Sequence, residues 1–439
     1  MAALLVLVEG ILLALQWAAA GRTSQPLASI FRSQAIFWGL AFVVVPTAML
    51  LVTPPASFGD AFVDERIVAI GYEAGLTTVM WIVLAGQATF TALTWAYVRF
   101  RGTADIATPQ NVTAAGLFLA FLVGVALRAS WLAGIDSALL EALLPLGTVV
   151  STIVLIYERQ AGWPFRFLRV AVVVGEIVWS IEFASKTPVI AVAVALVIRF
   201  SWNANHRLKW WRITALGVLS LVGFFAIQTV KTEVSTRIEV AKAADTYPAV
   251  VGPAMPLLIR FDLAHAVADV AFLAPGSWID APEYLSRLWS EVVPRTVGSG
   301  KDDLTPGQRW AREVRAQTLG QPKTTVALAE GPIAEGYAVA GLVGVITLVS
   351  AVFTATIFTG FLLKRRSPFL LAWGASIISQ PILFERGILG LAGGLVRGCE
   401  IAAVLLVIFW LAHSLTRSQS VHRGSHVERT SRVAESAGA

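Results

Sequence analysis

Arg287, Arg295 and Lys301 bracket a turn rich in Pro and Gly. A guanidinium binds phosphate oxygens two at a time and an ammonium adds a point charge, so cations held at fixed positions suit a diphosphate. Just downstream, Thr305, Pro306 and Gln308 read as the N-cap, first helical residue and capping-box partner of a helix that displays Arg309, Arg312 and Arg315 and ends near Gly320. Upstream, residues 254–273 fit an amphipathic helix that carries Arg260 and places Asp262, His265 and Asp269 on one face. Such a helix either lies at a membrane surface or packs against a bundle. Between these two segments, 282–293 predicts a helix with Leu285, Leu288, Trp289 and Val292 on one side. Glu283, Arg287 and Glu291 repeat every fourth residue on the other. The carboxylates Asp302 and Asp303, and the group Asp60, Asp64 and Glu65, are too sparse for a dedicated divalent-cation site, so neither metal nor cofactor is expected. A single cysteine, Cys399, allows no intrachain disulfide.

These residues sit in a polar stretch, 231–336, between segments that read as membrane spans. Hydrophobic residues make up 56% of the chain and charged residues 14%, with a mean hydropathy of +0.71, which excludes a soluble protein. Apolar runs recur near 2–20, 34–53, 67–98, 113–133, 138–157, 167–183, 187–202, 213–230, 337–363, 369–385 and 388–413, each read as a helix crossing the bilayer. The expected architecture is an all-α polytopic bundle of about 11 helices, with an N-terminal bundle (1–230), a helical loop subdomain (231–336), C-terminal spans (337–413) and a disordered tail (414–439). Lys and Arg concentrate in alternate short loops, which predicts the N-terminus outside, the large loop outside and the tail in the cytoplasm. The net charge of +6 is spread over loop ends and forms no patch, so nucleic-acid binding is not expected. Lipid-anchored diphosphates at an outer face are chiefly polyprenyl-diphosphate sugars, which makes them the natural ligand for the loop cations.

One stretch carries a resemblance. A "PR" pair at Pro294 and Arg295, then Gly and Lys, then an irregular polar run leads to Glu330, Glu335, Gly336, Tyr337, Gly341 and Gly344 at the head of a helix. This order resembles the Wzy-type O-antigen and oligosaccharide-repeat-unit polymerases, as do the helix number, the basic tail and a Ser-Lys turn at Ser185 and Lys186. The resemblance implies a metal-independent, GT-C-like glycosyltransferase of the bacterial plasma membrane. It would transfer a growing glycan from undecaprenyl diphosphate to a hydroxyl of the next lipid-linked unit. Arg295, Lys301 and Lys186, with Arg287, Arg309 and Arg260 behind them, would stabilise the leaving diphosphate. Glu335 would serve as general base, with His265 the second choice. A chain-length regulator and a flippase are the implied protein partners, besides the lipid bilayer.

Two other classes fit parts of this pattern. An O-antigen ligase shares donor and loop but carries a His where this chain has Glu330 and Glu335. A lipid-linked sugar transporter or flippase calls for midplane charges and broken helices. Within the apolar segments, Arg397 and Glu400 are spaced to neutralise each other and either to pack against Glu176 or to line a lipid-facing groove, with Arg128 the remaining cation.

Overall fold

The computed structural model describes residues 1–24, 26–52, 57–58, 61–62, 72–101, 114–135, 137, 140, 143–157, 163–183, 187–202, 261, 263–271, 278–293, 304–315, 329–365, 367–380 and 382–436. In chain order the helices are α1 (Ala2–Ala20), α2 (Leu27–Gly39), α3 (Val45–Val52), α4 (Tyr72–Arg101), α5 (Ala114–Leu132), α6 (Pro145–Tyr157), α7 (Trp163–Glu182) and α8 (Thr187–Trp202). They continue with α9 (Ala264–Ala271), α10 (Ala281–Val292), α11 (Pro306–Arg309), α12 (Gly331–Leu363), α13 (Pro368–Ile378), α14 (Ile382–Glu385) and α15 (Ile388–Ser436). Among the described residues the one strand pair is β1 (Ser57–Phe58) against β2 (Ala61–Phe62), antiparallel. Five described helical segments are long and apolar enough to cross a membrane: Ala2–Ala20, Leu27–Leu51, Glu73–Phe100, Gly331–Leu363 and Ile388–Ser414. The chain is an all-α protein consistent with a multi-pass helical membrane bundle. The expected span at 213–230 lies outside the described residues.

Several boundaries depart from expectation. The second span starts at Leu27, seven residues before the apolar run, because the Arg32 guanidinium lies 5.2 Å from the centre of the Trp17 ring and is sheltered there. A π-helical turn, Leu40–Val44, joins α2 to α3. The segment expected at 369–385 divides into α13, ending at Ile378, and α14, starting at Ile382. The last helix runs on to Ser436, although the composition of its end predicts disorder. Extending a helix that is already nucleated costs little, which composition alone does not register.

The bundle is locked by apolar packing with a few buried polar links. Phe31 stacks on Phe353 at 5.7 Å, and both meet Phe90 edge-on. Gln16 of α1 bonds Gln34 of α2 and accepts from Gln87 of α4 at 2.7 Å, and Gln87 also donates to Thr91 at 2.9 Å. α1 and α4 run parallel, since the Met1 amino group reaches Glu73 while Gln16 reaches Gln87. On the other side α5 and α6 approach through Gly124 and Gly147, where a Cβ on Gly124 would lie 2.9 Å from the Gly147 backbone.

Glu176 is held by Arg128, the cation the sequence left over. The Arg128 guanidinium takes it through two nitrogens, at 2.8 and 3.0 Å, and lies 4.9 Å from the Trp179 ring centre. Thr148 (2.9 Å) and Ser151 (2.7 Å) donate to the remaining lone pairs of Glu176. Gly147 makes the room, for a Cβ there would fall 2.7 Å from Arg128 Nε. The buried pair is held because both Glu176 oxygens are answered, although Arg128 Nε has no hydrogen-bond partner.

Candidate functional site at the head of the last helix

The site is built on an interrupted helix. Gly331 opens α12 at φ +66°, a left-handed conformation that favours glycine, with Glu330 before it and Pro332 in the first turn. Nine residues on, Ala340 and Gly341 leave helical geometry, and Gly341 has φ 59°, ψ −142°. The short limb then lies against the long one. A Cβ on Gly336 would sit 2.6 Å from the Gly344 carbonyl oxygen, so these positions need bare backbone. The Gly-Tyr-small-Gly pattern noted in the sequence therefore encodes a break inside the helix.

The short limb delivers two carboxylates to the start of α15. Glu335 is fully buried and accepts from the Ile388 N–H and, at 3.3 Å, from the Leu389 N–H. Glu330 accepts from the Gly387 N–H at 3.3 Å, and its other oxygen lies 3.7 Å from Arg386 Nη1. The first N–H groups of a helix have no partner within it and carry the positive end of its dipole, so a carboxylate is their natural acceptor. Gly387 leaves room beside them, because a Cβ there would meet the Glu335 carboxylate. Burial pushes the Glu330 carboxyl above its ordinary pKa, opposed by Arg386 and the Gly387 N–H and reinforced by nearby Glu385.

Amphipathic α10 closes the site from outside the bundle. Asp280 caps it by accepting from the Glu283 N–H at 2.8 Å. Its Tyr284 is buried with Ile279 and Leu389, close to both Glu335 and Glu330. Burial first, then the charge of Glu335, drive the phenol pKa above its usual value. Glu291, at the other end of α10, lies beside Gly393 of α15 and pairs with Arg309 at 3.3 Å. Trp38, Phe42, Leu263 and Val267 surround the other side of Glu330 and Pro332.

The expected residues distribute unevenly. Glu335 stands in the cluster, but its oxygens are committed to the backbone of α15. Arg287 sits between Glu313 (2.5 Å) and Glu283 (2.6 Å). Burial alone would lower its pKa, yet hydrogen bonds and charge from these two carboxylates outweigh that and raise it. Trp278 donates to the same Glu313 oxygen at 3.0 Å and stands edge-on to Trp310 at 5.3 Å. The expected capping box at Thr305 and Gln308 is present, and the helix it starts passes into a π-helical turn, Trp310–Arg315. His265 is buried in α9, where Asp269 accepts from Arg315 at 2.8 Å and from Trp310 at 3.4 Å. Burial raises the Asp269 pKa, against the opposing charges of Arg315 and His265. Thus α9 packs into the molecule and does not display its polar face to water. Lys186, Arg260, Arg295 and Lys301 lie outside the described residues, as do Asp262, Asp302, Asp303 and the Asp60, Asp64, Glu65 group.

Tyr284, Arg386 and Gly387 were not anticipated. Only the proximity of Glu330 to Glu335 and the place of Tyr284 on an amphipathic helix hinted at them. Among the described residues no group of three His, Cys, Asp or Glu could hold a metal ion. No protein-family model matches the chain, and no curated protein or solved structure matches it.

Proposed function

We propose that this protein is a membrane glycosyltransferase that polymerises polyprenyl-diphosphate-linked oligosaccharide units at the outer face of a bacterial plasma membrane. The observation that carries the reading is a convergence. Helices of the polar loop, bearing Tyr284, Arg287 and Arg309, dock on the interrupted α12 and the head of α15, where Glu330, Glu335 and Arg386 meet. A polymerase needs acid and cation chemistry together at the boundary between water and lipid, because its donor is a membrane-anchored diphosphate and its acceptor a sugar hydroxyl.

In this reading the hydroxyl of the incoming unit attacks the anomeric carbon of the growing glycan, and the bond to the lipid diphosphate breaks. The departing diphosphate is stabilised by loop cations, with Arg295, Lys301, Lys186 and Arg260 the leading candidates. Arg287 and Arg309, already paired with carboxylates, hold the loop helices in place. Glu335 is a positioning residue for the start of α15, and Glu330, beside Arg386, is the candidate to take the hydroxyl proton. The overall frame is of the GT-C kind, with the N-terminus outside and the C-terminus in the cytoplasm. A flippase supplying the units and a chain-length regulator are the partners this activity calls for.

The test is glycan length in a deletion strain complemented with wild type, Arg295→Ala, Lys301→Ala, Glu330→Gln or Glu335→Ala at matched membrane levels. Collapse of the ladder to single capped units is the expected result for the loop cations and Glu330. Loss of all surface glycan would point to a ligase or a flippase, and an unchanged ladder would remove these residues from the site. The flippase or transporter reading draws on two features, the break at Ala340–Gly341 inside a span and the buried Glu9 in α1. It gains ground only if deletion leaves lipid-linked units trapped on the inner leaflet.

A further inference from the structure

The short helix α10 has three distinct faces. Tyr284 and Leu288 turn toward the bundle, packing with Ile279, Leu389 and Leu348. Glu283 and Arg287 turn toward the π-helical turn through Glu313. Leu285, Trp289 and Val292, spaced to fall on one side, cover neither and are 61%, 70% and 39% exposed. A contiguous stripe of this kind marks a surface with an occupant.

The position of α10 identifies that occupant. Tyr284 packs on Leu389, and Glu291 lies against Gly393, so the helix stands alongside the first turns of the membrane span Ile388–Ser414. Its neighbour α12 packs beside it through Val339 and Leu348 and leaves Leu342, Val343 and Ile346 exposed just after the break, at 51%, 70% and 49%. The stripe on α10 thus lies on a helix packed against two membrane spans, one of which exposes apolar residues of its own just after the break. Amphipathic helices with Trp and Leu on one side and charges on the other settle at the headgroup boundary. We propose that the Leu285–Trp289–Val292 face is seated in the lipid leaflet that adjoins the 231–336 loop. α10 is then an interfacial anchor that holds Tyr284 over the Glu330 and Glu335 cluster at the membrane surface.

The experiment is spin-label accessibility in the full-length chain, carrying Cys399→Ala and reconstituted in nanodiscs of phosphatidylethanolamine and phosphatidylglycerol. Labels go at Trp289→Cys, at Leu285→Cys as an independent reporter of the same face, and at exposed Ser286→Cys as the aqueous control. At 289 and 285, oxygen is expected to relax the label more than a water-soluble nickel chelate does, and at 286 the order is expected to reverse. Dominance of the nickel chelate at all three positions would overturn the proposal. So would dipolar broadening at 285 and 289, which would assign the face to a second copy of the chain. Because the readout is lipid depth and not glycan length, its outcome is independent of the polymerase reading.

Discussion

Two substitutions at Glu335 separate its possible roles. Glu335→Ala removes the acceptor from two buried backbone N–H groups, each costing about 1–3 kcal/mol when left without a partner. Glu335→Gln keeps one acceptor oxygen but turns an NH2 toward the other N–H, so it loses one of the two hydrogen bonds together with the charge facing the helix end. A larger drop in melting temperature for Ala than for Gln, with the glycan ladder preserved in Gln, is the outcome expected of a positioning residue. An inactive Gln variant of unchanged stability would restore Glu335 as the base. Glu330 provides a pH test. Its folded pKa is raised, chiefly by burial, so the folded state holds the proton more tightly than the unfolded state. Its contribution to stability is complete below the ordinary carboxylate pKa and is lost as pH rises through the folded value. Thermal stability measured from pH 4 upward is therefore expected to fall less steeply in Glu330→Gln than in wild type, and parallel curves would contradict the burial argument.

At the scale of elements, the ion pair joining α5, α6 and α7 is the sharpest test of the packing. Arg128→Leu alone leaves Glu176 charged, buried and facing Thr148, a loss of about 3–5 kcal/mol. Arg128→Leu with Glu176→Leu removes both charges and is expected to recover most of that loss, read as detergent-solubilised half-life at fixed temperature. Failure of the double variant to recover would mean the pair does more than join helices. The α12 break follows a different logic. Its cause is backbone, since Gly341 adopts a conformation closed to side chains and Gly336 meets Gly344 directly. Apolar periodicity runs through the break undisturbed, which is why the sequence reads one span beginning at 337 where the helix begins at Gly331 and breaks at Ala340. A run of glycines is compatible with a continuous membrane helix and with a folded one, and only contact between the limbs distinguishes them.

At the scale of the molecule, the arrangement expected from loop charges can be checked directly. Alkaline phosphatase fused within the 231–336 loop is expected to be active, and a fluorescent protein fused after Ala439 is expected to glow, since each works on only one side of the membrane. The reverse pattern would place the carboxylate cluster on the cytoplasmic side and rule out extracytoplasmic polymerisation. What the sequence determined by itself was whatever depends on local composition: the five long apolar spans, the capping box at Thr305 and the amphipathic character of α10. Tertiary structure decided how those groups are used. Nothing in the spacing of Glu335 announces that it accepts from the head of α15, and nothing in Arg287 reveals that Glu283 and Glu313 take its charge. Likewise Glu176 waits on Arg128 from another helix. Solvent, lipid and neighbouring chain offer a buried charge very different energies, and which one it meets depends on residues far away in sequence.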